Sequence, residues 1–344
     1  AVLLALTVVA FAWCGRLLAC TICVPYPVKT TADYLVDGGL VVLARENPDK
    51  PFSFRVVEVL KGEAADRDID LFLDSTTRRK LKANTDRSAV LVQAGGEWRS
   101  LGYADIAFEE LVRQVVERAS CWSAGGDCRQ SRVEWFAAYL GHDNPRLHQL
   151  AYLEVGRAPY AEIGRLSGLW PADKIRRMLA DPRYLEWYPL AILMLGHNGS
   201  EADHRYIDER FRSAARFHTT TNLSAWATAL VEIQRERGLE AVENLYFDDP
   251  GREREELVEV VKALSQHGSF GHVDLRPRIV HSYLRLLERH PGMAGEVAAD
   301  LTRWRQWGFG DRLQGILDQY PLDPLSAYPV RLYVARAAAA KHSR

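Results

Sequence analysis

The sequence predicts a mixed protein of two parts: a small antiparallel β domain, sheet or barrel, followed by an all-α domain of HEAT-like helical repeats. Three observations predict it. Between residues 38 and 103 apolar and polar residues alternate at the period of a strand. From Ser131 onward the apolar residues recur only at helical spacing. Chain breakers then fall at repeated intervals, at Asn144-Pro145, Asp181-Pro182, Gly196 to Gly199, Asp249-Pro250-Gly251 and His290-Pro291-Gly292. At 344 residues, 47% of them apolar, the chain is long enough to bury two cores.

The first element is AVLLALTVVAFAW, residues 1 to 13, which carries no charge. It is shorter than the roughly 20 residues that a spanning helix needs and fits the apolar core of a secretory signal. Residues 1–19 are therefore expected to be a signal sequence. LLAC, Leu17 to Cys20, has the form of a bacterial lipobox, in which Cys20 would be the acylated first residue; ordinary cleavage nearby is the alternative. Either route exports the chain, to the periplasm, to a membrane as a lipoprotein anchored through Cys20, or outside the cell. The compartment is then oxidising.

Cys20 and Cys23 form a Cys-x-x-Cys. Pro25 and Pro27 stop a thioredoxin-type helix from starting there, and Val24 stands where haem attachment needs a histidine. Disulfides are the expected chemistry. Cys121 and Cys128 flank WSAGGD, whose glycines let the ends meet, and Cys20 either pairs with Cys23 or leaves it free.

GGLVVLARE (38 to 46) and PFSFRVVEVLKG (51 to 62) read as strands, with a register shift at Val56-Val57 that marks a bulge or a doubly covered strand. Ile69, Leu71 and Leu73 alternate with polar neighbours. AVLVQ and EWRSLGY flank Ala94-Gly95-Gly96, a hairpin signal. About five strands result. Phe108, Leu111, Val112, Val115, Val116 and Ala119 then form a helical stripe. The β domain is expected over 20–129 and the repeat domain over 130–344, with Ser131 and Glu134 as a capping box at the entry.

Lys plus Arg number 44 and Asp plus Glu 45, so no basic excess points to nucleic acid. No H-E-x-x-H, G-x-S-x-G, Walker A or dinucleotide motif is present. His197 and His267 each follow an apolar run and precede glycine, in LGHNG and LSQHG. Those are equivalent helix ends in two repeats, where an imidazole can bond free carbonyls. No two histidines lie one helical turn apart, so neither metal nor cofactor is expected. Trp135, Tyr139, Trp170, Tyr184, Trp187 and Tyr188 crowd the middle of the helical half. They either fill gaps between helices or line a groove for a peptide or glycan.

ACTICVPYPVKTTADYLVDGGLVVLAREN, FSFRVVEVLKG and PADKIRRMLADPRYLEWYPLAILMLGHNG resemble an exported bacterial family abundant in planctomycetes. Its members join a Cys-x-x-Cys start and a small β domain to a HEAT-like half, and the resemblance implies architecture rather than an activity. The exported Cys-x-x-Cys start with V-x-x-V-x-K-G is also similar to netrin-like and metalloproteinase-inhibitor-like domains, which implies an OB-type barrel. The function expected is an exported, non-enzymatic scaffold that binds a protein or glycan of the cell envelope. One alternative is a metalloproteinase-inhibitor-like protein whose unblocked Cys20 amine and carbonyl chelate a protease's zinc. The other is an envelope enzyme of no recognised type.

Overall fold

The computed structural model describes Ile22 and residues 29–63, 68–124 and 127–342. The signal sequence, Cys20 and Cys23 lie outside the described residues. The fold is mixed: a curled five-stranded antiparallel sheet, shaped as a half-barrel, followed by a helical domain. The chain divides into two compact units, Pro25–Val155 and Gly156–Arg344.

The first unit opens with α1, Thr31–Asp37, held by a capping box in which Thr30 and Asp33 satisfy each other's backbone N–H groups. The strands are β1 (Leu40–Glu46), β2 (Ser53–Lys61), β3 (Asp68–Asp70), β4 (Ser88–Ala94) and β5 (Glu97–Ala104). Their order is β3-β2-β1-β4-β5, so β3 and β5 stand at open edges and do not close a barrel. Val57 and Leu60 of β2 have no partner on β1, because Ala44 pairs with Val56, Leu43 with Glu58, Val42 with Val59 and Val41 with Lys61. The shift expected at Val56-Val57 is thus the first of two bulges, and bulges strengthen the twist that curls a sheet. Gly95 and Gly96 turn β4 into β5 with φ of 63° and 86°, as a two-residue hairpin requires.

β1 is buried along five successive residues, so both sheet faces are covered. Leu40, Val42 and Ala44 pack with Phe54, Ile69, Leu91 and Leu81, the last from α2 (Ser75–Ala83). Val41 and Leu43 project to the opposite face, paired with Val92 and Val90. There α1 and α3 (Ile106–Ala124) pack on each other, and α3 also meets β2 and β5.

Two more helices belong to this unit, α4 (Asp127–Ala137) and α5 (Pro145–Gly156). The division expected at 129/130 falls inside α4, whereas the compact units part at 155/156. The reason is polar: Arg132 of α4 bonds both Asp33 of α1 and Glu154 of α5. Ser131 is not a cap. It sits inside α4 and donates to the Cys128 carbonyl at 2.7 Å, the local bond a helical serine makes when no free N–H is in reach.

The second unit contains α6 (Tyr160–Ser167), α7 (Ala172–Ala180), α8 (Tyr188–Asn198), α9 (Glu201–Phe217), α10 (Leu223–Gln234), α11 (Glu236–Val242), α12 (Arg254–Ser269), α13 (Arg276–Arg289), α14 (Ala294–Arg303), α15 (Gly310–Gln319) and α16 (Pro324–His342). Alternate helices stack: α6 on α8, α8 on α10, α10 on α12, α12 on α14 and α14 on α16. The intervening helices pack on their chain neighbours as a second layer. The sequence explains which helix goes where. Leu190 to Gly196 of α8 and Leu223 to Val231 of α10 are apolar or small all round and buried without a break, as helices covered on every side must be. α9 buries only Ile207, Phe211, Ala214 and Ala215 of its apolar set, a single stripe. This two-layer alternation is the geometry of stacked helical repeats. Among the described residues no helix is long and apolar enough to cross a membrane.

Candidate functional site

Because alternate helices of a stack run the same way, the last turns of α8, α10 and α12 lie side by side. His197 occupies the last turn of α8 and His267 that of α12. Between them α10 contributes Glu232, two residues from its own end. Three residues far apart in sequence but equivalent in the repeat are thus brought together. Tyr160, the first residue of α6, and His272, in the loop after α12, complete the group.

Glu232 is the centre. Its Oε2 accepts a hydrogen bond from the Tyr160 hydroxyl at 2.7 Å. Its Oε1 lies 3.4 Å from His197 Nδ1 and 3.2 Å from His272 Nε2. Burial pushes the carboxyl up, but the His197 hydrogen bond and the Tyr160 hydroxyl outweigh it and hold it at about 2. Glu232 is therefore a carboxylate at every ordinary pH.

His267 is fully buried. Its Nε2 lies 2.9 Å from the carbonyl of Thr228, one turn before Glu232 on α10. A carbonyl can only accept, so Nε2 carries the proton. Burial pulls the imidazole down to about 4, which keeps it neutral. Nδ1 is then a bare lone pair. Among the described residues it has no hydrogen-bond partner, and 4.0 Å away it faces Glu232 Oε2, another acceptor.

The ring of His267 stacks parallel on that of His272, centroids 5.3 Å apart, and meets Tyr160 edge-on at 5.6 Å. Gly271 makes room: a Cβ there would sit 2.7 Å from His267 Nδ1. His272 Nδ1 is approached by Arg235, which also pairs with Asp274. Arg235 joins α10 to α11 at φ 56°, ψ −119°, a backbone conformation that costs a non-glycine residue energy. Beside it opens a pocket of about 740 Å³, lined by Arg235, Gln234, Asp274 and Leu275 among others.

The sequence places His197 and His267 at helix ends, and that is where they are. Their isolated spacing gave no metal role. In the stack, one ligand atom from each of Glu232, His267 and His272 lies within 4.8 Å of the others. His204, His218 and Asp203 do not join them. Asp203 caps α9 with Ser200 and takes Arg176 at 2.8 Å on both oxygens, and His218 contacts Glu256 at the far end of α9.

The six aromatics singled out in the sequence do not form one exposed row. Trp135 of α4 and Tyr139, in the turn after it, are half-buried beside Trp122 and Phe136 in the first unit. Trp170 and Trp187, of the second unit, are buried, and Tyr184 and Tyr188 are half-buried. Trp170 and Trp187 thus serve the core, because a helix stack needs large side chains where short helices leave gaps. A second hollow, of about 530 Å³, lies between α7 and the start of α9, walled by Leu179, Ala180, Ala202 and Tyr206 over the Arg176–Asp203 pair. Cys121 and Cys128 stand at disulfide distance, their Cα atoms 5.5 Å apart. Comparison with family models, curated proteins and solved structures found no match to this chain.

Proposed function

We propose that the protein is an exported, non-enzymatic helical-repeat scaffold that binds a protein of the cell envelope. One observation supports this reading above others: the hollow between α7 and α9. Two second-layer helices leave an apolar wall of Leu179, Ala180, Ala202 and Tyr206, and Tyr206 is 40% exposed. Its floor is polar but neutralised, because Arg176 is bonded to both oxygens of Asp203. Such a surface takes apolar side chains of a partner segment and offers hydrogen bonds at its base, the usual division of labour in protein recognition.

The test places a photo-crosslinking residue at Ala180 of the full chain and exposes it to envelope fractions. A reproducible crosslink to one protein, lost when Leu179→Asp puts a charge in the wall, is the expected result. A crosslink that survives Leu179→Asp, or none at all, refutes the assignment of this surface.

A further inference from the structure

The Glu232 group carries an inference that is independent of the scaffold reading. His267 Nδ1 and Glu232 Oε2 are two acceptors facing each other in the interior. A buried acceptor with no donor costs about 1–3 kcal/mol, and native proteins seldom leave one without cause. Several features single this one out. His267 is fully buried, so water does not serve it freely. Its other nitrogen is fixed by the Thr228 carbonyl at 2.9 Å. That is the arrangement by which metal-bound histidines are oriented: one nitrogen on a carbonyl, the other presented as a lone pair. Glu232 is held from its outer side in the same way, by Tyr160 and His197.

We propose that Glu232, through its carboxylate, His267, through Nδ1, and His272, through Nε2, bind one divalent transition-metal ion of the zinc class. The donor set of two imidazoles and a carboxylate suits zinc and its first-row neighbours, not magnesium or calcium, which take oxygen ligands. Three protein ligands leave a coordination position open.

The present distances show what must move. Ligand atoms around zinc stand about 2.1 Å from the ion, so donors now spread over as much as 4.8 Å have to draw together by roughly 1 Å. His272 is the mobile ligand, since it follows Gly271 in a loop while His267 and Glu232 are fixed in helices. It must also shift its proton from Nε2, where Glu232 now receives it, to Nδ1. Arg235 occupies Nδ1 as a donor and has to withdraw. It can, because its side chain is 43% exposed and already bound to exposed Asp274. The tautomer change conserves the proton, and the imidazole remains neutral as ligation demands.

The experiment uses the full chain, stripped with a chelator and titrated calorimetrically with Zn²⁺, with Mg²⁺ as the control. One Zn²⁺ per chain, no heat from Mg²⁺, and at least tenfold weaker Zn²⁺ binding in both His272→Ala and Glu232→Gln are expected. Melting of each variant in chelator shows that it is folded. A second readout needs no variant: Zn²⁺ should protect His272 from acylation by diethyl pyrocarbonate, mapped by peptide mass. Absence of Zn²⁺ binding, or binding that neither substitution weakens and that leaves His272 reactive, overturns the site.

Discussion

Arg132 and Glu154 form an interior ion pair, Nη2 to carboxylate 3.0 Å, with the glutamate side chain 1% exposed. Asp33 stands 2.8 Å from the same nitrogen, and Thr30 donates its hydroxyl to Glu154. Three helices of the first unit, α1, α4 and α5, therefore meet on one guanidinium. This is why α4 and α5 stay with the sheet even though their sequence pattern is that of the repeats.

Removing one member of a buried pair strands the others without a counter-charge, which costs about 3–5 kcal/mol. Arg132→Met is expected to destabilise the first unit by that order. The double variant Arg132→Met with Glu154→Met should recover most of the loss, since apolar replacements of a whole buried pair are often neutral. Urea unfolding of the three proteins checks this. Equal losses in the single and double variants would show that packing, not charge, sets the cost.

Much of this fold was legible in the sequence because it rests on local rules. The doubled Val56-Val57 marked a bulge that the pairing of β1 with β2 contains, and Gly95-Gly96 marked the hairpin of β4 with β5. α1 and α2 were not legible. STTRRKLKA buries only Thr77 and Leu81, so it shows too few apolar positions to reveal a period. TADYLVD is two turns long and runs straight into the glycines before β1. The candidate site was half legible. LGHNG and LSQHG announced equivalent helix ends, but Glu232 in LVEIQ looks like any solvated position. Only the stacking of α8, α10 and α12 reveals it as the group between two histidines.

A second charged interior group gives a pH dependence. Glu243, 1% exposed in a π-helical turn, accepts from Arg278 at 2.8 Å, Arg285 at 2.8 Å and Ser282 at 2.6 Å. Burial pushes its carboxyl up, but the Arg278 and Ser282 hydrogen bonds and the charges of Arg278 and Arg285 hold it below the ordinary 4.5. A carboxyl depressed in the folded state contributes its full stabilisation above 4.5 and loses it as pH falls through the folded value. The melting temperature should therefore drop on acidification below pH 4.5 more steeply in the native protein than in Glu243→Gln. Calorimetry across a pH series reads it; parallel curves would remove Glu243 from the account.

Cys121 of α3 and Cys128 of α4 close a loop of sequence separation 7. A cross-link across so short a loop stabilises by roughly 2–3 kcal/mol on the chain-entropy account. Peptide mapping without reductant should recover the joined pair from protein held in an oxidising compartment. Reduction should then lower the unfolding midpoint of the first unit and leave that of the helical unit unchanged. Free thiols at both positions would contradict the pairing.

Two glycines inside helices give opposite expectations for the same substitution. Replacing glycine by alanine in a helix interior is worth about 1 kcal/mol of propensity, so the sign depends on what the new methyl meets. At Gly315 of α15 it meets nothing within 4 Å. Gly315→Ala is expected to stabilise the protein by up to about 1 kcal/mol. At Gly268, in the last turn of α12, the methyl would lie 2.3 Å from Cζ2 and 2.6 Å from Cη2 of Trp304. That indole cannot retreat easily: it is buried, stacked on Tyr283 at 5.8 Å, and donates its N–H to Ser269 at 2.9 Å. Overpacking of this kind costs about 1–3 kcal/mol, enough to cancel or exceed the propensity gain. Gly268→Ala should therefore melt below the native protein and Gly315→Ala above it. Trp304→Phe is smaller than Trp304 and should relieve part of the Gly268→Ala loss when the two are combined. If Gly268→Ala melts at or above the native temperature, Trp304 moves freely and the α12–α14 contact is softer than the packing shows.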